Sequence, residues 1–487
     1  MAGETLFALA SAPGRAAIAV WRLSGPDVAA AIRALTGRAP PAPRRAALRT
    51  LTDPATGAAI DQALVLWFPG PASFTGEDSA ELHSHGGRAV AEAIGAALGR
   101  LPGLRQAEPG EFSRRAFLNG KLDLTEAEAI ADLAAAETEA QRRQALAQAG
   151  GALSMLYDGW RAALISLRAH LEADIEFPDE DIGDPVAQLS GQLDSLRSAI
   201  AAHLADARRG ERLRDGVTIA VVGAPNAGKS SLVNSLARRH VAIVSPEAGT
   251  TRDAIEVHLD LGGYPVILVD TAGLRETEGA VEAQGIARAR ARAGSADLVL
   301  ALFAADAERD DETLALLDER AVVVVSKADL ASSHVSASPL EGEVGPKGRV
   351  GGAATTGPVS QDRRKRDHHP PPAGFAVDLP RKGGGDEMRP VAISAKTGAG
   401  IDALLRTLTG RVAELLADRG APPPTRARHR EALTRCLAAL GAAQSAELPE
   451  LAAEDLRSAA DELGRITGRI DIEDMLNAIF RDFCIGK

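Results

Sequence analysis

"GAPNAGKSS", residues 223–231, stands between an apolar run, "VTIAVV" (217–222), and a helix-forming "LVNSLARR" (232–239). It matches the pattern G-x-x-x-x-G-K-S/T through Gly223, Gly228, Lys229 and Ser230. Glycines at these positions let successive backbone N–H groups converge on phosphate oxygens. Lys229 supplies a point charge, and Ser230 offers its hydroxyl to Mg²⁺. A ligand-free glycine turn would show similar letters, but strand, loop and helix follow here in the order a phosphate loop needs.

Around this loop, residues 216–417 alternate strand-like runs with helical stretches: "IEVHLDL" (255–261), "PVILV" (265–269), "DLVLALF" (297–303), "VVVV" (322–325) and "VAIS" (391–394). Such alternation predicts an α/β sheet with crossover helices. Gly262-Gly263-Tyr264 is too short for a crossover, so the two runs it joins form an antiparallel hairpin. The expected sheet is therefore mostly parallel, with one antiparallel strand.

Four further motifs say which nucleotide is bound. "DTAG" (Asp270, Thr271, Ala272, Gly273) ends one strand, where a carboxylate can hold a water on Mg²⁺ and a glycine N–H can meet the γ-phosphate. "GTTRD" (Gly249–Asp253) precedes the hairpin, where a threonine can close onto Mg²⁺ and phosphate. "SKAD" (Ser326–Asp329) and "SAK" (Ser394, Ala395, Lys396) end two more strands. Asp329 can accept from both guanine N1–H and its exocyclic amine, which adenine cannot offer. The ordered set resembles the GTPase superfamily in its Ras-like form. One position departs from it, since that superfamily usually has asparagine where Ser326 stands. Losing a neutral hydrogen bond costs roughly 0.5–1.5 kcal/mol, so guanine specificity should survive with weaker affinity. A second clue concerns hydrolysis. The glutamine that often orients the attacking water is replaced by Leu274, while Asn226 in the loop can help ligate a monovalent cation that neutralises transition-state charge.

The remaining chain is organised around this insert. At 487 residues, length allows about three domains. The expected domains are 1–118 (α+β), 119–215 (helical), 216–417 (GTPase) and 418–487 (helical again), with the two helical stretches packing as one discontinuous domain. Thr125 followed by Glu128 reads as a capping-box helix start. Residues 331–389 have disorder composition; within them Arg363–Arg366 offers an RNA contact but reads more simply as solvated, and His368-His369 is a weak metal signal. Net charge is −11, so any RNA contact needs a local patch or a partner's help. No apolar run approaches the ~20 residues needed to span a bilayer. With only Cys436 and Cys484, no disulfide framework exists, and the expected location is the cytoplasm, with no membrane contact.

The whole chain resembles the tRNA-modification GTPase family MnmE, also called TrmE. The resemblance runs from "PGRAAIAVWRLSG" (13–25) through "LWFPGPASFTGEDSAELHSHGG" (66–87), "PGEFSRRAFLNGKLDLTEAEAIADL" (109–133) and "FPDEDI" (177–182) to the final "FCIGK" (483–487). It implies nucleotide contacts from Asn226, Ala227, Gly228, Lys229, Ser230, Ser231, Ser245, Pro246, Glu247, Ala248, Gly249, Thr250, Thr251, Asp270, Thr271, Ala272, Gly273, Ser326, Lys327, Asp329, Ser394, Ala395 and Lys396. Mg²⁺ would be held by Ser230 and Thr251, and K⁺ by Asn226, Ser245, Glu247 and Thr250. Lys229 and Asn226 would act in catalysis with Glu282 as the water-orienting acid. The resemblance further implies a homodimer, and an N-terminal domain that binds 5,10-methylene- or 5-formyl-tetrahydrofolate through Arg22, Glu81 and Lys121. A heterotetramer with the FAD-dependent protein MnmG (GidA) would build an aminomethyl-type group on C5 of the wobble uridine of certain tRNAs. The tail "CIGK" has the spacing of a prenylation box, but its terminal lysine fits that box poorly. The family instead places Lys487 against the folate. The rival readings are a ribosome-assembly GTPase, which normally carries a basic RNA-binding domain, and a regulatory switch without one-carbon chemistry.

Overall fold

A computed structural model describes residues 3–176, 185–239, 256–270, 290–331, 390–470, 476, 479–481 and 483–486. The chain forms two compact units, Met1–Arg214 with Asp418–Lys487, and Asp215–Ala417.

The first unit opens with six strands: β1 (Thr5–Leu9), β2 (Ile18–Ser24), β3 (Ala47–Thr52), β4 (Ala59–Phe68), β5 (Ser79–His85) and β6 (Leu104–Gln106). Their order is β3-β4-β5-β2-β1-β6, with β1 and β6 parallel and the other neighbours antiparallel. Strand periodicity decides which side chains reach the core. Ala19, Trp21 and Leu23 of β2 are buried with the helices Val28–Thr36 and Arg88–Gly99, so Arg22 points to the opposite face. Register sets Arg22 across from Glu81, which makes the two cross-strand neighbours.

The helices that follow draw on both sides of the insert. Ala152–Glu176, Pro185–Ala205, Ala427–Ser445 and Pro449–Thr467 share one core containing Tyr157, Leu164, Leu433, Leu456 and Leu463. Each such side chain contributes about 1.5–3 kcal/mol by leaving water. The helix Leu124–Ala135 begins two residues earlier than the sequence reading has it. Asp123 accepts from Glu126 N, and Glu126 returns to Asp123 N. Thr125 and Glu128 are therefore not the cap. Both lie inside the helix, Thr125 bonded to Ser154 and Glu128 turned into the protein.

Glu128 is 1% exposed and accepts from Arg428 Nε (2.6 Å), Arg428 Nη2 (2.8 Å) and His429 Nε2 (3.1 Å). One turn along, Asp132 Oδ1 receives Arg426 Nη2 (2.8 Å) and Arg214 Nε (3.2 Å). A single carboxylate thus holds the chain just before the insert and just after it.

In the second unit the strands are β7 (Val217–Gly223), β8 (Glu256–Leu261), β9 (Tyr264–Asp270), β10 (Leu298–Ala304), β11 (Ala321–Ser326) and β12 (Val391–Ala392). They run in the order β12-β11-β10-β7-β9-β8; only the β8–β9 pair among these is antiparallel. Its turn uses Gly262 (φ +65°) and Gly263 (φ +90°), a backbone that side-chain-bearing residues resist. β10 and β11 are buried along their whole length, as parallel central strands are. Apart from Ala331, the 331–389 tract lies outside the described residues.

Candidate functional site: the carboxyl edge of the second sheet

β7, β9, β10 and β11 end on one edge of the sheet, where open α/β sheets bind ligands. Gly223 (φ +154°) closes β7 so tightly over β10 that a Cβ there would meet Leu302 O at 2.5 Å. Asn226 turns the loop at φ +63°, a conformation asparagine tolerates better than most residues. Gly228 (φ +92°) then caps the helix Lys229–Ala237, whose first N–H groups and dipole face the loop. Lys229 Nζ donates to Gly223 O (2.7 Å) and Ala224 O (2.9 Å), spanning the loop.

Two contacts tie neighbouring strands to this loop. Ser230 Oγ donates to Asp270 Oδ2 at 3.0 Å, and Asp270 is 1% exposed. The pair offers hard oxygen ligands of the kind that share Mg²⁺ with nucleotide phosphates. Among the described residues no cluster of three or more His, Cys, Asp or Glu competes for a metal. From β11, Ser326 Oγ donates to Ala227 O at 2.5 Å, with Phe303 O at 3.4 Å. The serine is buried, and its hydroxyl bridges the end of β11 to the phosphate loop.

Lys327 (φ +55°) extends to both oxygens of Asp306 at 3.0 Å. Asp306 was not legible as a site residue, because nothing in "FAAD" (303–306) says that its carboxylate meets the β11 loop. A cavity of about 110 Å³ opens here, lined by Pro225, Asn226, Phe303, Asp306 and Lys327 among others. A hydrogen bond from Ser394 holds the Asp329 carboxyl below its ordinary range, so Asp329 is an anion at neutral pH. Ala328 N donates to Ile393 O, which joins the "SKAD" and "SAK" segments; Ala395 is half-buried and Lys396 exposed beside them. Ser231 is exposed on the loop helix. Ser245, Pro246, Glu247, Ala248, Gly249, Thr250, Thr251, Thr271, Ala272, Gly273, Leu274 and Glu282 lie outside the described residues.

Replacing Ser326 with alanine should weaken GDP binding about tenfold, because a buried carbonyl deprived of its donor costs ~1–3 kcal/mol. Calorimetry giving an unchanged affinity would show that the hydroxyl does not hold the loop.

The first unit carries the second set of expected residues. Arg22 Nη2 meets Glu81 Oε1 at 3.3 Å, and Glu81 Oε2 meets His83 Nε2 at 3.0 Å. The Arg22 guanidinium also lies 5.6 Å and 5.9 Å from the ring centroids of Phe74 and Phe112. Its Nη1 donates to Gly486 O at 3.3 Å, which brings the C-terminal tail to this face. Gly486 (φ +95°) passes so close that a Cβ would meet Ala10 Cα at 2.8 Å, and Ile485 bridges Pro109. Lys121 reaches Pro71 O (3.1 Å), on the loop that also carries Phe74, rather than Arg22 or Glu81 directly. A carboxylate for N–H donors, cations for carboxylates and flanking rings suit a pterin with an acidic tail. Cys484 is exposed, and Lys487 lies outside the described residues.

A sheet of this order with a phosphate loop at its carboxyl edge defines a P-loop GTPase domain. The family profile of the MnmE helical domain matches residues 124–484, and that of the GTP-binding protein TrmE N-terminus matches residues 5–121. The tRNA modification GTPase MnmE of Parvibaculum lavamentivorans is 52% identical over 489 residues, covering 99% of this chain and 100% of that protein. Its namesake from Rhodospirillum rubrum is 52% identical over 501 residues, covering 100% of both. The mitochondrial 5-taurinomethyluridine tRNA synthase subunit GTPB3 of Rattus norvegicus is 45% identical over 505 residues, covering 100% of this chain and 94% of that protein. The chain belongs to the tRNA modification GTPase MnmE family.

Proposed function

We propose that this protein is a potassium-dependent GTPase that acts, as a homodimer and with a FAD-dependent partner of the MnmG type, on the wobble uridine (U34) of certain tRNAs in the cytoplasm. It would add a carboxymethylaminomethyl or aminomethyl group to C5, drawing the carbon from a tetrahydrofolate. The observation that carries the GTPase half is the convergence on one loop of Ser230–Asp270 from the phosphate side and Ser326–Ala227 from the guanine side. Family membership carries the tRNA half. No helix among the described residues is long and apolar enough to cross a membrane.

In this reading the loop N–H groups and Lys229 bind phosphate oxygens, which requires Lys229 Nζ to leave Gly223 O and Ala224 O for the nucleotide. Ser230 and Thr251 would hold Mg²⁺, which when bound neutralises phosphate charge. Asn226, with Ser245, Glu247 and Thr250, would hold K⁺, which supplies there the positive charge an arginine supplies in other GTPases. Glu282 orients the attacking water. Asp329 reads guanine. On the other unit, Arg22, Glu81, Lys121 and Lys487 bind and orient the folate, with Phe74 and Phe112 excluding water beside Arg22.

GTP turnover is expected to be at least tenfold faster in potassium chloride than in sodium chloride of equal strength, since a cation in the arginine's place acts on the transition state itself. Equal rates in the two salts would contradict the potassium assignment.

A further inference from the structure

The protein carries eleven net negative charges, yet residues 28–52 contain five arginines and no acid. In the structure this acid-free segment forms the β3 border of the N-terminal sheet. Arg33 lies at the end of the helix Val28–Thr36, Arg38 just beyond it, Arg44 and Arg45 before β3, and Arg49 on β3. Arg49 Nη2 reaches Ala39 O at 3.5 Å, which ties the intervening loop to the strand, while Arg44 donates to Ala72 O and lies over the Phe68 ring. Arg33, Arg38, Arg44 and Arg45 are exposed, and among the described residues none of the five pairs with a carboxylate. Elsewhere arginine–carboxylate pairs are frequent, as at Arg88–Glu92, Arg168–Glu172 and Arg457–Glu454. The Nη1 of Arg49 is buried without any hydrogen-bond partner.

We propose that this arginine rim binds the phosphodiester backbone of the structured RNA on which the protein acts, an inference that rests on the tRNA reading above. Guanidinium forks pair with phosphate oxygens two bonds at a time, and they are more weakly hydrated than lysine ammoniums. An acidic protein approaching a polyanion needs a local region of opposite potential, and the rim supplies one. A charge on an edge strand also discourages strand-to-strand aggregation, but that accounts for Arg49 alone, since Arg33 and Arg38 lie off the strand. An acidic protein surface would accept the same charges. Leu48 on the same strand and its cross-strand neighbour Leu64 are exposed and make a small apolar spot, but five arginines with no carboxylate partner among the described residues favour a phosphate track.

The test uses the full-length protein and a fluorescently labelled, unmodified tRNA transcript, with binding followed by anisotropy across a salt series. Arg33→Gln, Arg38→Gln and Arg45→Gln are combined, because none of these three side chains holds the fold through a hydrogen bond. A control combines Arg88→Gln, Arg168→Gln and Arg457→Gln, which changes net charge equally. The rim variant should bind about tenfold more weakly at moderate salt, and the slope of log affinity against log salt should fall by about 2–3, one unit per lost phosphate contact. The control should stay within about threefold. A rim variant that binds like the control overturns the proposal, as does one whose only change is a loss of self-association in sedimentation. If the wild-type protein itself fails to bind tRNA at any salt, the tRNA reading falls and the rim proposal falls with it; wild-type binding with an unaffected rim variant removes the rim alone.

Discussion

Asp329→Asn is expected to lower GTP affinity about 10²-fold or more and to raise affinity for xanthosine triphosphate. A carboxylate accepts from guanine N1–H and from the C2 amine at once, and each charged hydrogen bond contributes roughly 1.5–3 kcal/mol. An amide keeps one acceptor but turns a donor toward the C2 amine, so one contact becomes repulsive. Xanthine carries an oxygen at C2, which that same amide can serve. Ser394 hydrogen-bonds the Asp329 carboxyl, and an amide at this position keeps an oxygen to accept that bond. Fluorescent-nucleotide titration with both bases reads the result. An unchanged ratio of GTP to xanthosine triphosphate affinity would mean that Asp329 does not touch the base.

The other large effect belongs to the helical domain. Glu128→Ala should cost about 3–5 kcal/mol, the usual penalty for removing one partner from a buried ion pair. Arg428 and His429 would remain inside with no anion facing them. In a unit this large the loss corresponds to a fall in melting temperature on the order of 10 °C. Acid should act through the same cluster. Burial alone would raise the Glu128 carboxyl, but the Arg428 guanidinium and His429 overcome it and hold the group well below the carboxylate range. Burial, and then Arg428, pushes His429 down to about 4, while burial does the same to His203, which bonds Tyr157 OH. All three pKa values are depressed on folding, so the unfolded chain binds more protons in acid. Their contribution is whole above about pH 6.5, where unfolded histidine is neutral. It falls between pH 6.5 and 4 by up to ~1.4 kcal/mol per pH unit for each histidine, and Glu128 adds to the loss below about 4.3. Urea midpoints that stay flat from pH 7 to 4.5, or a Glu128→Ala protein as stable as wild type, would show that the cluster is not linked to folding in this way.

Where the chain could be read in advance, the reason is that one backbone geometry demands particular residues. Gly223, Gly228 and the Gly262-Gly263 turn occupy positive φ or passages that admit no Cβ, so the loop and hairpin were visible as letters. The parallel core was visible because β10 and β11 are apolar without interruption. The helix start near residue 124 was misplaced for an equally physical reason. "DLTEAE" (123–128) contains two overlapping cap patterns, Asp123 with Glu126 and Thr125 with Glu128. Which one caps depends on Arg428 and His429, three hundred residues on, which take Glu128 into the interior. Ser326 teaches the same lesson at the site. Its letter does not say that the close approach of Ala227 O to β11 gives its hydroxyl a bond. Asp306 is likewise a product of tertiary distance, whereas the place of the tail beside Arg22 is the one the family resemblance implies.

The wobble uridine itself gives the most direct test. The measurement is mass-spectrometric nucleoside analysis of tRNA from cells lacking this gene, and from the same cells given back the wild-type protein or Asp329→Asn. The deletion should lose the aminomethyl-type group at C5 of the wobble uridine in the affected tRNAs. Wild type should restore it, and Asp329→Asn should not. Wobble nucleosides that are unchanged by the deletion would contradict the account, whatever the rate at which the purified protein hydrolyses GTP.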